Sequence, residues 1–196
     1  MKTRICSILI TLIFTTQARA GGGCPPSEGI GVFFDANGQT TTASQVGFVP
    51  QPFYIIATKS GPISGWETQV TFSDNTVIVL ETNFNPPTIV NVGSVDNHIV
   101  GLGGCFGGES ESYVLVQYQV IWLSTLVDGL ICLEGSTPSS FSPSGPGYLS
   151  CNSNLVAAPL ANIGGGYYPN GCAVLNPTVY IIATEETSWG SLKSSF

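Results

Sequence analysis

The chain has 196 residues, of which 9% are charged, well below the roughly 25% of a typical soluble domain. Five basic residues face 12 acidic ones, and three of the five, Lys2, Arg4 and Arg19, lie within the first twenty residues. The rest of the chain keeps only Lys59 and Lys193, so two positive and twelve negative charges give it a net charge of −10. So few basic groups argue against nucleic acids and anionic membranes as partners.

The composition is that of one folded domain built from short strands. Hydrophobic residues make up 43% and aromatic residues 10% of the sequence, which favours a packed core over a disordered chain. The 24 glycines and 13 prolines suit many turns better than long helices. We predict a single domain, since all-β sandwiches often reach about 200 residues as one unit.

Residues 1–20 have the pattern of a secretory signal peptide. A short basic start is followed by an apolar run from Ile5 to Phe14 and by the small-residue cleavage pattern Ala18-Arg19-Ala20. The run is about half the ~20 residues needed to span a bilayer. We predict cleavage after Ala20, a flexible segment at 21–28, a single domain at 29–196, and a location outside the cell or at its surface.

The cysteines that remain after cleavage predict disulfides, because an exported chain folds in an oxidising compartment. The sequence has no Cys-x-x-Cys pair, and His98 is its single histidine, which disfavours a metal site. Five cysteines allow at most two bridges. The remaining cysteines are Cys24, Cys105, Cys132, Cys151 and Cys172.

The pairing that we predict joins Cys151 to Cys172, which closes a loop rich in glycine, proline and asparagine. The second predicted bridge joins Cys105 to Cys132. Cys24 is then unpaired, and the glycine before it leaves lipid modification of Cys24 open as an alternative.

Strand patterns follow one another along most of the chain. The pair Asn37-Gly38 predicts a hairpin after the first of them, because both residues accept φ > 0. In GWETQVTFSDN (65–75) every second side chain is apolar or suited to a core, the period of a half-buried strand. The segment 113–124 is long enough that we expect a bulge or bend within it. The main predicted strands are 29–35, 52–58, 65–75, 76–82, 88–95, 98–104, 113–124, 128–134 and 178–186, with shorter ones in NLVAAPL and CAVL.

These strands predict an all-β fold, a two-sheet antiparallel β-sandwich of roughly eight to ten strands. Two packed sheets are the natural way to bury one face of each strand. The last ten residues, TSWGSLKSSF, predict one or two helical turns, because Trp189, Leu192 and Phe196 have helical spacing.

In order and spacing, the strand segments resemble those of secreted bacterial cohesin-like and carbohydrate-binding-module-like β-sandwiches. The resemblance is carried by IGVFFD, PFYIIAT, GWETQVTFSDN, and VLVQYQVIWL followed by GLICLEG. The C-terminal part of a group of exported bacterial proteins with this architecture is also similar to three later segments, PSSFSPSGPGY, GCAVLNP and EETSWGSLKSSF. The resemblance implies a jelly-roll-like or immunoglobulin-like sandwich over most of 29–196, one that binds a partner outside the cell and catalyses no reaction.

The residue pattern offers little for catalysis. A nucleophile would need a neighbouring base, and we interpret His98 as a surface residue beside a turn. Glu109 and Glu111 are two residues apart, but nothing around them marks a cleft for glycoside hydrolysis, and we assign them to a solvated loop. The glycine-rich GLGGCFGG (101–108) leads into a strand, whereas phosphate-binding loops lead into a helix. We therefore predict that the chain is not an enzyme.

Two kinds of binding residue remain as candidates. We expect no cofactor, with calcium as the alternative, because sandwich loops can bring together carboxylates from separate segments. The candidate calcium ligands are Asp35, Asp74 and Asp96.

Aromatic side chains outside the core pattern are candidates for stacking on a sugar ring. They are Tyr148, Tyr167, Tyr168 and Trp189.

The function that the sequence predicts is that of a secreted, non-enzymatic binding or adhesion module. Its partner is an extracellular protein or a polysaccharide, and the sequence does not rank the two. The alternative is an extracellular structural subunit that assembles edge to edge, which low charge and long apolar strands would suit.

Overall fold

The computed structural model describes residues 28–87, 89–108, 112–140, 145–152, 154–157 and 172–178. These residues form twelve strands and contain no helix, and so none that is long and apolar enough to cross a membrane. The predicted signal peptide, the C-terminal helical turns and, beyond Thr178, the last predicted strand lie outside the described residues. The strands are β1 Gly29–Phe33, β2 Thr42–Ala43, β3 Gln51–Thr58, β4 Ile63–Phe72, β5 Val77–Phe84, β6 Ile89–Asn91, β7 Asn97–Phe106, β8 Ser112–Trp122, β9 Gly129–Glu134, β10 Gly147–Ser150, β11 Leu155–Ala157 and β12 Cys172–Leu175.

The strands form two sheets that pack into a sandwich, which confirms the predicted fold class. Sheet A has four strands in the order β1-β3-β8-β5. Sheet B has eight strands. Six of them follow the path β11-β10-β4-β9-β12-β2, and β7 pairs with both β4 and β6. All described pairings are antiparallel except that of β2 with β12.

An aromatic cluster joins the two sheets in the core. Phe53 of sheet A stacks on Tyr118, with ring centroids 4.6 Å apart, and Phe72 of sheet B meets Phe53 edge-on at 6.1 Å. Trp66 and Val70 on the same strand as Phe72 are buried, as the alternation in 65–75 predicts. Large aromatic rings bury the most surface per residue, so this cluster fixes the spacing of the sheets.

The long strand β8 carries the expected irregularity. Val116 pairs with Ile55 and Val114 with Ile56, so Leu115 is an extra residue relative to β3. A bulge of this kind bends the strand and increases its twist. Both neighbours of β8 can therefore follow it along most of its length.

The chain turns at Asn37-Gly38, but it does not form the predicted hairpin there. β1 pairs with β3 in sheet A, whereas β2 pairs with β12 in sheet B, so the turn carries the chain from one sheet to the other. Gly38 has φ +69°, which explains the glycine. The Asp35 carboxylate accepts the backbone N–H groups of Asn37 and Gln39 and stabilises the turn.

Two disulfides are present, but the predicted pairing was wrong. Cys132 is bonded to Cys172, its direct partner across β9 and β12, with Cα atoms 4.1 Å apart. Cys105 is bonded to Cys151, with Cα atoms 5.7 Å apart. The prediction joined cysteines near in sequence, whereas the arrangement of strands in sheet B brings together cysteines separated by 40 and 46 residues.

Candidate binding groove

A groove lies on the outer face of sheet B, over the first half of β4. Side chains alternate between the two faces of a strand, so Gly65 and Glu67 face outward while Trp66 between them is buried in the core. Gly65 lies directly opposite Gly101 of β7. The groove has a volume of about 370 Å³. Its outward-facing lining includes Gly65, Glu67, Val90, Ile99, Gly101 and Leu149.

Three glycines form a platform that the described part of the fold does not require. A Cβ atom added to Gly101, Gly103 or Gly104 would meet nothing within 4 Å, and none of the three has a positive φ. Glycine inside a strand costs roughly 0.5–1 kcal/mol relative to alanine. Such a glycine often marks a place where a ligand or another backbone approaches closely. Gly65 differs, because its added Cβ would lie 2.6 Å from the Val100 carbonyl oxygen.

The far part of this platform is a bulge held by a disulfide. Gly101 pairs with Gly65 and Phe106 with Ile63, so the four residues 102–105 of β7 lie opposite a single residue of β4. Cys105, at the end of the bulge, is bonded to Cys151 just after β10. The bridge therefore ties the two strands that flank the groove.

Exposed valines stand beside the glycine platform on a fixed backbone. Val90 and Val92 are 66% and 72% exposed. The Asn91 side chain between them accepts the backbone N–H groups of Gly93 and Ile99 at 3.0 and 3.1 Å. A Cβ atom added to Gly93 would lie 1.8 Å from a backbone oxygen, so the turn is tight. The valines are thus held in place without being buried.

Glu67 closes one end of the groove. Its carboxylate accepts hydrogen bonds from the Ser136 hydroxyl at 3.0 Å and from the Ser140 N–H at 2.8 Å. These bonds hold the segment 136–140 beside the groove. Ser140 itself lines the groove, so Glu67 orders one of its walls.

The sequence predicts His98 at the surface, but the side chain is fully buried between the sheets. Its Nε2 lies 2.6 Å from the Tyr118 hydroxyl and 3.1 Å from the Val95 carbonyl oxygen. Burial lowers the pKa of His98 to about 4, against smaller opposing effects of the Val95 carbonyl and Asp96. His98 faces inward because side chains alternate along β7, and Val100 on the same face is buried as well.

Tyr148 is the candidate for sugar binding that the structure describes, and it does not line the groove. The sequence predicts Tyr148 outside the core, but it lies in β10, opposite Trp66, and is 1% exposed. Its hydroxyl donates to Glu28 at 2.6 Å. Tyr148 therefore packs in the core and cannot stack on a sugar. The other candidates lie outside the described residues: Tyr167, Tyr168 and Trp189, together with Glu109 and Glu111.

The three candidate calcium ligands serve separate turns. Asp74 accepts hydrogen bonds from the side chain and backbone of Thr76, which lower the pKa of Asp74. Asp96 accepts a hydrogen bond from Ser94, and Asp35 caps the turn after β1. Within the described ranges, no three such acidic, cysteine or histidine side chains form a group that could hold a metal ion.

One feature of the sequence indicates the groove. GLGG (101–104) places three glycines at the end of the predicted strand 98–104. Glycine within a strand pattern indicates a bulge or a close approach of another backbone. The exposure of Val90 and Val92 had no such signal, since it depends on how β6 joins the sheet edge.

Comparison with solved structures identifies the architecture. A type II cohesin domain from the cellulosome of Acetivibrio cellulolyticus superposes with a TM-score of 0.52 at 14% identity, over 77% of this chain and 96% of that one. The sixth cohesin of scaffoldin B from the same organism, solved in complex with a dockerin variant, gives a TM-score of 0.47 at 12% identity, over 77% and 99%. No protein-family model and no curated protein matches the sequence. The chain has a cohesin-like β-sandwich fold, as the sequence resemblance implied.

Proposed function

We propose that this chain is an extracellular, non-enzymatic module that binds a protein partner in the groove on sheet B. The observation that carries the proposal is the glycine platform: Gly101, Gly103 and Gly104 leave open space that no contact among the described residues explains. Val90 and Val92 supply exposed apolar surface beside it. Bare backbone next to fixed apolar side chains suits close packing by another protein surface.

The lining of the groove favours a protein over a polysaccharide. Sugars are recognised by flat aromatic faces together with polar side chains. The described aromatic residue of this groove, Trp66, is 2% exposed and belongs to the core. Aliphatic side chains instead dominate the walls, which matches the apolar centre of a protein interface.

The groove also offers little acid–base chemistry. Glycoside hydrolysis needs two carboxyl groups across a cleft. Glu67 supplies the one carboxylate among the described groove residues, and its oxygen is occupied by Ser136 and Ser140. The titratable pair His98 and Tyr118 lies in the core between the sheets. These placements support binding as the role of the groove.

Gly101→Val tests the proposal by filling the platform. The Cβ atom added at Gly101 meets nothing within 4 Å, and valine favours strands, so we expect a urea midpoint no lower than that of wild type. Binding to the partner should weaken at least about tenfold, because the valine occupies the space needed for close approach. The partner is obtained by affinity capture from the culture medium of the source organism, and affinities are then measured by calorimetry.

Gln119→Val is the matched control for this test. It adds the same side chain to a half-buried outward position of β8, in sheet A. We expect it to bind the captured protein as wild type does. Equal binding by Gly101→Val and wild type would contradict the proposal, and retention on a polysaccharide array with no protein captured would favour the polysaccharide alternative.

A further inference from the structure

A second exposed apolar surface, which we call the apolar end, lies at the end of the sandwich away from the groove. Its five side chains are between 45% and 75% exposed. They belong to two loops, 44–50 before β3 and 123–128 after β8. The apolar end consists of Val46, Phe48, Val49, Leu123 and Val127.

The two loops of the apolar end pack tightly against each other. The Phe48 N–H donates to the Trp122 carbonyl at 2.8 Å, and the Gly47 N–H donates to the Thr125 hydroxyl at 2.9 Å. A Cβ atom added to Gly47 would lie 2.9 Å from the carbonyl carbon of Ser124. The first loop therefore continues the pairing of β3 with β8 and fits closely over the second.

A buried network of amide side chains fixes both loops from below. Gln45 is 3% exposed, and its backbone N–H donates to the Asn176 side chain at 2.8 Å. Asn176 donates to the carbonyls of Gln45 and Leu126 at 2.7 and 2.9 Å, and the Leu126 N–H donates to the Gln45 side chain at 2.9 Å. Because the loops are fixed, little conformational entropy is lost when a partner covers them.

The backbone angle and the exposure of Phe48 indicate that the apolar end is a contact surface. Its φ is +61°, in the left-handed region that bulky residues rarely adopt. Its ring is 68% exposed, so packing inside the fold does not explain why a phenylalanine occupies this position. Backbone outliers of this kind concentrate at functional surfaces.

We propose that the apolar end is a dimer interface through which two copies of this chain associate end to end. The stretches 44–50 and 121–127 contain no charged residue, in a chain whose predicted mature form has a net charge of −10. Two such chains repel each other, so a contact between them costs least where charge is absent. The nearest carboxylate in sequence, Asp128, accepts hydrogen bonds from Thr178.

The area of the apolar end fits a dimer. The exposed fractions of its five side chains leave on the order of 500 Å² uncovered per copy, taking ~150–250 Å² for a large side chain. Two copies together would bury about 1,000 Å², the size that a specific interface should reach. The phenylalanine at the centre is the kind of aromatic anchor on which binding energy concentrates.

The dimer would leave both grooves open. Phe72, at the end of β4, packs edge-on against Trp122 at 6.3 Å and so lies at the apolar end, whereas the groove covers the first half of β4. The proposal stands on residues outside the groove and does not depend on the proposed function. A dimer with two open grooves would bind a multivalent partner more tightly than one copy does.

Val127→Asp and Val92→Asp form a matched pair for the test, because the two valines are 75% and 72% exposed, at the apolar end and at the groove. By sedimentation velocity of the mature chain across the micromolar range, we expect wild type and Val92→Asp to dimerise as concentration rises. Val127→Asp should stay monomeric, with its dissociation constant raised at least about tenfold.

Phe48→Asn keeps the test independent of folding defects. Asparagine adopts a positive φ more readily than phenylalanine, so this variant should unfold at the same urea concentration as wild type or a higher one, yet remain monomeric. A wild-type monomer throughout the range, or equal dimerisation of both valine variants, would overturn the proposal. A monomer that instead binds neutral phosphatidylcholine vesicles through Phe48 would overturn it as well.

Discussion

Replacing Cys132 and Cys172 together by alanine is expected to lower the free energy of unfolding by about 4 kcal/mol. The bridge spans 40 residues, and a cross-link of this span removes a large entropy from the unfolded chain. It also anchors β12, whose four residues are all buried. β12 pairs with β9 along its full length but with β2 at only two residues, so β9 and the bridge supply most of its attachment.

Equilibrium urea unfolding of the purified chain measures this loss. Because small domains are stable by only about 5–15 kcal/mol, the double variant should unfold at a much lower urea concentration. Cys24→Ala is the control, and we expect its unfolding curve to match that of wild type, because the four described cysteines already form two bridges.

A peptide map without reduction tests the pairing itself. We expect cross-linked peptides that contain Cys105 with Cys151 and Cys132 with Cys172. Peptides joining Cys105 to Cys132 would contradict the structure, as would an unchanged urea midpoint for the double variant.

Most of the fold could be predicted from local patterns. The alternation in 65–75 placed Trp66 and Val70 in the core, and the length of β8 indicated its bulge. The pairings that failed depend on residues far apart in sequence. Asn37-Gly38 turns the chain as its chemistry requires, yet which sheet receives the next strand is decided by β12, about 130 residues later.

The candidate site was harder to predict than the fold. Catalytic sites reveal themselves by residue type, but an apolar groove is made of valines and glycines whose exposure depends on sheet edges. For Tyr148 and His98 the prediction fails in the opposite direction. The sequence predicts both side chains at the surface, and both lie in the core. Each has a partner for one polar atom, Glu28 for the Tyr148 hydroxyl and Tyr118 for His98 Nε2, and a local sequence pattern does not reveal such partners.

Acidification is expected to destabilise the protein through His98, by up to about 3 kcal/mol between about pH 6.5 and about pH 4. Burial holds the pKa of His98 at about 4 in the folded protein, whereas in the unfolded chain it is about 6.5. Between these values the unfolded chain binds the extra proton, so stability falls as the pH falls. Below about pH 4 both states are protonated, and His98 contributes no further loss.

The hydrogen bonds around His98 predict the same direction of change, a loss of stability on acidification. Nε2 lies beside the Val95 carbonyl and the Tyr118 hydroxyl, so the neutral ring with its hydrogen on Nε2 satisfies these contacts. The extra proton must then go to Nδ1, which is buried and has no hydrogen-bond partner among the described residues. Charging the ring would leave a buried Nδ1–H donor without an acceptor in the folded protein, whereas in the unfolded chain water accepts this hydrogen bond.

Because the chain has one histidine, its ring resonance in a proton NMR titration reports this pKa directly. His98→Gln removes the titration and retains a polar side chain, so it isolates the contribution of His98 from that of the carboxylates. We expect His98→Gln to be less stable than wild type at neutral pH but to lose less stability between about pH 6.5 and about pH 4. A folded-state pKa near the ordinary value, or parallel losses in both proteins, would show that His98 is not what makes the protein sensitive to acid.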